Sequence, residues 1–222
     1  MLRWLRSLER KIEARLEGTG HNELHALEAA RIASGLLIDS CVSPHRGLTV
    51  APNKFFVPFK SLRHVPDGFE DEAVLLLAEE VKQRGYRLLA PLSVCAVGPE
   101  LNLSGIAAEW CDSKGRVAMG YIEGIDGPAK DGLWSIAEGG SVVGRGSEAD
   151  VRLIDPEVSR RHLAVEAVAP EQFQIEDLGS HNGTRVGKSL ILQPTLVKAG
   201  TKLSIGASVL RLWALPWAEE QS

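Results

Sequence analysis

The chain of 222 residues is long enough for one large domain or two small ones. Hydrophobic residues make up 44% and charged residues 24%, as in ordinary soluble proteins, and the net charge of −4 lacks the basic surplus of a nucleic-acid binder. No apolar run approaches the roughly 18–20 residues that a membrane helix needs, and the charged start lacks the apolar stretch of a secretory signal. The composition therefore predicts a cytoplasmic protein without stable membrane insertion.

The three cysteines are widely spaced and form no CxxC pair. This spacing predicts neither a disulfide framework nor a zinc site, and we expect buried, reduced thiols. Nothing in the sequence indicates a metal or another cofactor.

The first half of the chain, residues 1–123, predicts a small α+β domain. Apolar residues at three- and four-residue steps predict a helix over residues 2–16, with Gly18 as its stop, and further helices fit residues 22–40 and 70–84. Asn22 is a suitable cap for the second helix, and Gly85 ends the third. Short β-rich runs predict strands at residues 47–51, 54–59, 87–97, 104–111 and 117–122. We expect the first two strands to flank a Pro52-Asn53 turn and the last two to pair with each other.

Residues 124–132 are polar, contain glycine and proline and have no periodicity, which predicts a linker. Residues 133–214 then alternate short Val-, Ile- and Leu-rich runs with turns, a pattern that predicts an all-β sandwich. The predicted strands are residues 133–136, 142–143, 151–154, 163–168, 173–176, 190–192, 203–205 and 209–213. Residues 215–222 are predicted to form a tail outside the sandwich.

Three loop segments of the sandwich carry side chains that suit a phosphate group. They are residues 144–147 (Gly-Arg-Gly-Ser), 159–162 (Ser-Arg-Arg-His) and 178–184 (Leu-Gly-Ser-His-Asn-Gly-Thr). Guanidinium groups offer bidentate bonds to a phosphate dianion, while hydroxyl and amide donors fix its orientation. Because few basic residues are involved and the surrounding domain is neutral, the pattern favours a specific site over a general anion patch.

Gly-Arg, then Ser-x-x-His, then Asn-Gly, in this order within an all-β segment, resembles the forkhead-associated (FHA) family. The resemblance covers about residues 133–213 and implies a β-sandwich that binds phosphothreonine peptides without catalysis. The peptide-binding residues that it implies are Arg145, Ser159, Arg160, His181 and Asn182. Gly144, His162 and Gly183 are expected to support the architecture of the loops.

His181 departs from the family pattern, which usually has threonine before the asparagine. A neutral imidazole can donate one hydrogen bond, and an imidazolium adds charge. Peptide binding would then tighten as the ring takes up a proton, although the second ionisation of the phosphate, near pH ~6, opposes this trend. The alternative is a surface histidine that the position simply tolerates.

Two catalytic alternatives are weaker. Residues 144–149 match a dinucleotide-binding glycine pattern, but an alternating segment cut by Pro156 follows, where a helix is required. Ser159, His162 and Asp177 could form a hydrolase triad, but no Gly-x-Ser-x-Gly turn precedes the serine. The main non-enzymatic alternative is a structural module that binds an unphosphorylated partner or self-associates.

The first half resembles the N-terminal domain that precedes FHA modules in a group of bacterial signalling proteins. The resemblance rests on residues 8–13 (Leu-Glu-Arg-Lys-Ile-Glu), 50–57 (Val-Ala-Pro-Asn-Lys-Phe-Phe-Val) and 83–86 (Gln-Arg-Gly-Tyr). It implies a bacterial adaptor whose partner is a Ser/Thr protein kinase or a phosphorylated substrate of such a kinase.

Overall fold

The computed structural model of the protein describes residues 23–216, apart from the side chains of residues 23–30 and of His64. The predicted helix at residues 2–16, the Asn22 cap and the end of the predicted tail lie outside these residues. The helices of the described part are α1 (Glu23–Asp39) and α2 (Phe69–Arg84). Its strands are β1 (Val42–His45), β2 (Leu48–Val50), β3 (Lys54–Pro58), β4 (Ser93–Val97), β5 (Ala107–Glu109), β6 (Ala118–Asp126), β7 (Leu133–Ala137), β8 (Ser141–Gly144), β9 (Val151–Arg152), β10 (Leu163–Ala169), β11 (Gln172–Asp177), β12 (Thr184–Val186), β13 (Ser189–Leu190), β14 (Thr195–Lys198), β15 (Lys202–Ile205) and β16 (Ser208–Ala214).

The chain forms two compact units. The first, which we call the α+β unit, contains the residues up to Cys41 together with Lys54–Tyr86 and Leu92–Ala108. The second, which we call the sandwich unit, contains Val42–Asn53, Arg87–Pro91 and the chain from Glu109 onward.

This division differs from the predicted boundaries at residues 123 and 133. Residues 124–132, predicted as a linker, contain the end of β6 and a 3-10 turn at Gly127–Ala129 that leads into β7. β6 pairs antiparallel with both β16 and β7, so it is an inner strand of the sandwich. The polar, Gly- and Pro-containing composition therefore marks a tight turn between neighbouring strands. The sandwich also continues into the predicted tail, where Leu215 is buried and donates its backbone N–H to the Met119 carbonyl.

The α+β unit contains two of the predicted helices. α1 and α2 agree with the predictions for residues 22–40 and 70–84 to within one residue at each end. Gly85 ends α2 with φ +67°, a left-handed conformation that favours glycine. Neither helix, nor any other in the described part of the chain, is long and apolar enough to cross a bilayer.

The predicted hairpin across Pro52-Asn53 is wrong, although both of its strands exist. β3 pairs parallel with β4, and β2 pairs antiparallel with β1. Parallel neighbours need a crossover connection, and α2 supplies one between β3 and β4. The expected pairing of residues 104–111 with 117–122 is reduced to a single bridge between Cys111 and Val117, because β6 pairs with β7 and β16.

The sandwich unit confirms the predicted all-β architecture. One sheet has the order β14-β11-β10-β8-β9, and the other has the order β13-β12-β15-β16-β6-β7. Alternate apolar side chains of both sheets fill the layer between them. The fully buried ones include Ile122, Ile136, Val143, Leu163, Phe173, Ile175, Leu203, Ile205, Leu210 and Leu212. The sequence prediction missed β12 and β14, whose short segments mix apolar with polar residues.

A hairpin from the first half of the chain also belongs to the sandwich unit. Leu48 and Val50 of β2 form a buried cluster with Tyr121 of β6 and with Leu215. These contacts explain why a boundary drawn by position in the sequence fails for this unit. The cysteines are less uniform than expected, because Cys111 is buried but Cys41 and Cys95 are half-buried.

Candidate functional site

The loop that carries Arg145 is joined to the loop that carries Ser159. The backbone N–H of Arg145 donates to the Ser159 carbonyl at 3.0 Å, and that of Gly146 donates to the Arg160 carbonyl at 3.1 Å. The two chains approach so closely at Gly144 that a Cβ there would collide with the Arg160 carbonyl oxygen. The close approach of these two loops therefore requires glycine at position 144.

The Ser159 hydroxyl links the second loop to the third. Its Oγ accepts the backbone N–H of His181 at 3.0 Å. The hydroxyl proton is not used in this bond, so it is available to a ligand. Arg145, Arg160 and His181 are exposed, and each is bonded to this serine through its backbone or adjoins it in the chain.

The imidazole of His162 lies inside the loops and is completely buried. Its Nδ1 accepts the backbone N–H of Ser159 at 3.1 Å, so the ring hydrogen is on Nε2, which lies 3.3 Å from the Gly183 carbonyl. Burial lowers the pKa of His162, and the Gly183 carbonyl and the Asp177 carboxylate only partly oppose that effect. The ring is therefore a neutral brace between two of the loops.

Asp177 organises the third loop. Its carboxylate accepts the Ser180 N–H and the Ser180 hydroxyl, both at 2.8 Å, and the Thr184 hydroxyl at 2.7 Å. Burial alone would raise the pKa of Asp177, but these hydrogen bonds and His162 lower it overall. Gly183 then turns the chain with φ +72° and donates its N–H to the Ser180 hydroxyl at 2.9 Å.

Asn182 is exposed and directed along the surface of the second loop. Its Nδ2 donates to the Glu157 carbonyl at 2.8 Å. This bond fixes the carboxamide plane and leaves Oδ1 and the second N–H for another partner. The geometry therefore holds a carboxamide on the loop whose preceding residue, His181, donates its N–H to the Ser159 hydroxyl.

Asp155, buried at the start of the second loop, is a further support. It accepts the backbone N–H of Glu157 at 3.0 Å and of Ala207 at 3.1 Å, and the Ser208 hydroxyl at 2.6 Å. The sequence pattern did not indicate this role, and it marked Asp177 only as the acid of a triad. An Asp followed two or three residues later by a polar turn is the signal that could have identified both.

The arrangement of Ser159, His162 and Asp177 does not match a hydrolase triad. The imidazole is bonded to the backbone N–H of Ser159, while the serine hydroxyl is bonded to the backbone of the third loop. Asp177 Oδ2 is 3.8 Å from Nε2, the same nitrogen that faces Gly183. In a triad, the two ring nitrogens would join the hydroxyl to the carboxylate.

The structure thus places the five sequence-predicted binding residues on three loops, of which the second is bonded to both the first and the third. The three predicted architectural residues, Gly144, His162 and Gly183, lie one in each of these loop segments. The five residues combine the half-buried Ser159 hydroxyl with four exposed groups, which are two guanidinium groups, one imidazole and one carboxamide. These groups can form charge-assisted bonds to a dianion and polar bonds to an extended peptide backbone.

The model of the FHA domain family matches residues 141–206. FhaB, an FHA domain-containing protein of Mycobacterium tuberculosis, is 28% identical over 97 residues, which cover 44% of this chain and 62% of FhaB. The chain therefore matches less than two thirds of the length of this curated relative.

Solved structures give similar alignments. One, from a study of phosphothreonine-dependent FHA domain interactions, has 29% identity, a TM-score of 0.40, and coverage of 45% of this chain and 99% of its own. The FHA domain of the CT664 protein from Chlamydia trachomatis has 23% identity, a TM-score of 0.41, and coverage of 46% of this chain and 100% of its own.

Proposed function

Residues 141–206 of this chain are an FHA domain, and from that premise we propose that the protein is an adaptor that binds phosphothreonine peptides. The observation that carries the proposal is the bonding of three loops into one surface around the Ser159 hydroxyl. The residues assigned to the peptide are Arg145, Ser159, Arg160, His181 and Asn182. The protein acts in this proposal by binding and not by catalysis.

Each of these side chains has a distinct role in the proposal. Arg145 and the Ser159 hydroxyl bind the phosphate, because a guanidinium and a free hydroxyl proton complement its oxygens. Arg160, beside the serine, contacts the phosphate or the peptide. Asn182, with its carboxamide fixed by the Glu157 carbonyl, bonds the peptide backbone on either side of the phosphothreonine.

His181 contributes a ring where related domains usually place a threonine hydroxyl. Its side chain is exposed beside Ser159, and its backbone N–H is already used by the serine Oγ. We propose that the ring contacts the phosphate and strengthens binding when protonated. His181→Thr should then flatten the pH profile of affinity, and an unchanged profile would identify a histidine without a role.

In this proposal the protein binds, in the cytoplasm, a bacterial Ser/Thr protein kinase or one of the substrates of such a kinase. The similarity to a mycobacterial FHA protein supports a bacterial setting. The resemblance of the first half to domains that precede FHA modules in bacterial signalling proteins supports the link to kinases.

Calorimetric titration with a degenerate phosphothreonine peptide pool tests the proposal. The unphosphorylated pool should not bind, and Arg145→Ala should abolish binding of the phosphorylated pool. Arg63→Ala is the matched control, because Arg63 is exposed and lies in the α+β unit. Binding that is indifferent to phosphate would instead favour a structural module for an unphosphorylated partner.

A further inference from the structure

The loop between β8 and β9 carries Arg145, and its two ends are held in different ways. β8 and β9 are parallel neighbours, with Val143 beside Val151, so the loop has to turn back on itself over residues 145–150. Its first end is held by the backbone bonds of Arg145 and Gly146 to the second loop. Its last residue, Asp150, is held by side-chain contacts.

The side chain of Asp150 joins its own loop to β8 and to the turn at residues 112–116. Its Oδ2 accepts the backbone N–H of Val142 in β8 at 3.0 Å. Its Oδ1 lies 2.9 Å from Lys114 Nζ and 2.8 Å from Arg116 Nη2. Burial alone would raise the pKa of Asp150, but the Val142 N–H and the two cations lower it overall.

The two cations come from the turn between β5 and β6, which precedes the segment that the FHA family model matches. Asp112 organises this turn by accepting the backbone N–H groups of Lys114 and Arg116, both at 2.8 Å. The same carboxylate accepts Arg116 Nε at 2.7 Å, so the guanidinium bridges two carboxylates. Arg116 is thus pre-oriented towards Asp150.

We propose that the turn at residues 112–116 positions the Arg145 loop for phosphopeptide binding, acting through the ion pairs of Lys114 and Arg116 with Asp150. The expected change in binding rests on the proposed function, whereas the expected change in the loop does not. Without the ion pairs, Asp150 keeps only its hydrogen bond from the Val142 N–H, so the last residue of the six-residue loop is held less tightly and the guanidinium of Arg145 samples more positions. Binding must then restrict the guanidinium to one position, which costs conformational entropy, so the affinity for the peptide falls.

Amide hydrogen exchange on the free protein tests the effect on the loop. The amides to follow are those of Arg145, Gly146 and Ala149, which are bonded within the loop or to its neighbour. Exchange of these amides should become faster in Arg116→Gln and in Lys114→Gln. Lys114→Gln changes only an exposed side chain, so it stays informative if Arg116→Gln folds poorly. Lys202→Gln, an exposed lysine of β15, is the control.

Calorimetry with the phosphothreonine pool tests the effect on binding. Each variant should weaken affinity about twofold to fivefold, the range expected for partly exposed ion pairs. In the background of Arg145→Lys the same substitutions should have a smaller effect, because the residue that the loop positions is already altered. A purely structural role would lower the stoichiometry of binding and leave the dissociation constant of the folded molecules unchanged.

Unchanged exchange of the three amides in both variants overturns the proposal. So does a dissociation constant that the variants do not alter. Failure of the wild-type protein to bind any phosphorylated pool refutes the proposed function instead, and the exchange data then still decide whether the turn orders the loop.

Discussion

The backbone N–H of Ser159 donates a hydrogen bond to Nδ1 of His162 at 3.1 Å. Because that nitrogen is an acceptor, the imidazole is neutral and carries its hydrogen on Nε2, towards the Gly183 carbonyl. One buried ring therefore fixes the serine loop relative to the asparagine loop.

Replacement of His162 by glutamine should destabilise the protein. The Ser159 N–H and the Gly183 carbonyl lose well-placed partners, and we expect the free energy of unfolding to fall by about 1–3 kcal/mol. Urea unfolding at neutral pH measures this change. His181→Gln is the matched control, because that ring is exposed, and an equal loss in both variants would contradict the bracing role.

The stability of the protein should fall on mild acidification because of His162. Burial lowers the pKa of this ring in the folded state, whereas in the unfolded chain it titrates near its ordinary value of about 6.5. Below that value the unfolded chain binds more protons, so the stability contributed by the neutral ring is lost as pH falls through the folded pKa. Asp150 and Asp177 also have lowered pKa values, but they act in the more acidic range of carboxyl groups.

Comparison of unfolding at about pH 7.5 and about pH 5.5 isolates the histidine contribution, since both values lie above the carboxyl range. The difference in stability between wild type and His162→Gln should shrink at the lower pH. A difference that is constant, or that grows, would show that the ring is not held neutral.

Arg145→Lys should weaken phosphopeptide binding although it keeps the charge. An ammonium cannot make the two parallel bonds of a guanidinium, and we expect a loss of roughly tenfold in affinity. Titration with the phosphothreonine pool measures it, with Arg63→Lys as the control. If lysine at position 145 binds as tightly as arginine, the phosphate is not recognised through a bidentate contact.

Gly183→Ala and Gly179→Ala form a matched pair, because both glycines have φ +72°. A Cβ at Gly179 meets nothing within 4 Å, while one at Gly183 collides with the side chain of Leu190. Both variants should lose about 1–2 kcal/mol from left-handed strain, and Gly183→Ala should lose more because of the collision. Thermal unfolding of the two variants measures the difference. Equal losses of stability would mean that the Leu190 side chain moves aside at no energetic cost.

A fragment that begins at residue 133, the predicted start of the sandwich, should not fold. It lacks β6, so β7 and β16 lose the strand between them. A fragment that begins at residue 109 retains β6 but lacks Leu48 and Val50, which cover Tyr121, and should fold with reduced stability. Circular dichroism and thermal unfolding distinguish the two, and a stable fragment from residue 133 would contradict the assignment of β6 to the sandwich.

Local sequence was sufficient to predict the elements that are marked by a regular spacing of apolar residues. α1 and α2 follow from apolar spacing and from the glycine that ends α2, and most strands of the sandwich follow from short β-branched runs. Prediction from the sequence was wrong about strand pairing at residues 47–59 and about the linker at residues 124–132. Strand pairing depends on distant partners, and a Gly- and Pro-containing turn between sheet neighbours has the composition of a linker.

By itself, the sequence determined the sandwich class. The resemblance of its loop motifs supplied the residues proposed to bind the phosphate, because the Gly-Arg, Ser-x-x-His and Asn-Gly patterns are local features of the loops. Only the tertiary structure decided which side chains hold those loops. Asp155 and Asp150 act through partners up to 53 residues away, such as Ser208 with Asp155. Their role comes from the desolvation of a carboxylate that needs several donors at once, and no local pattern shows which distant donors the fold will supply.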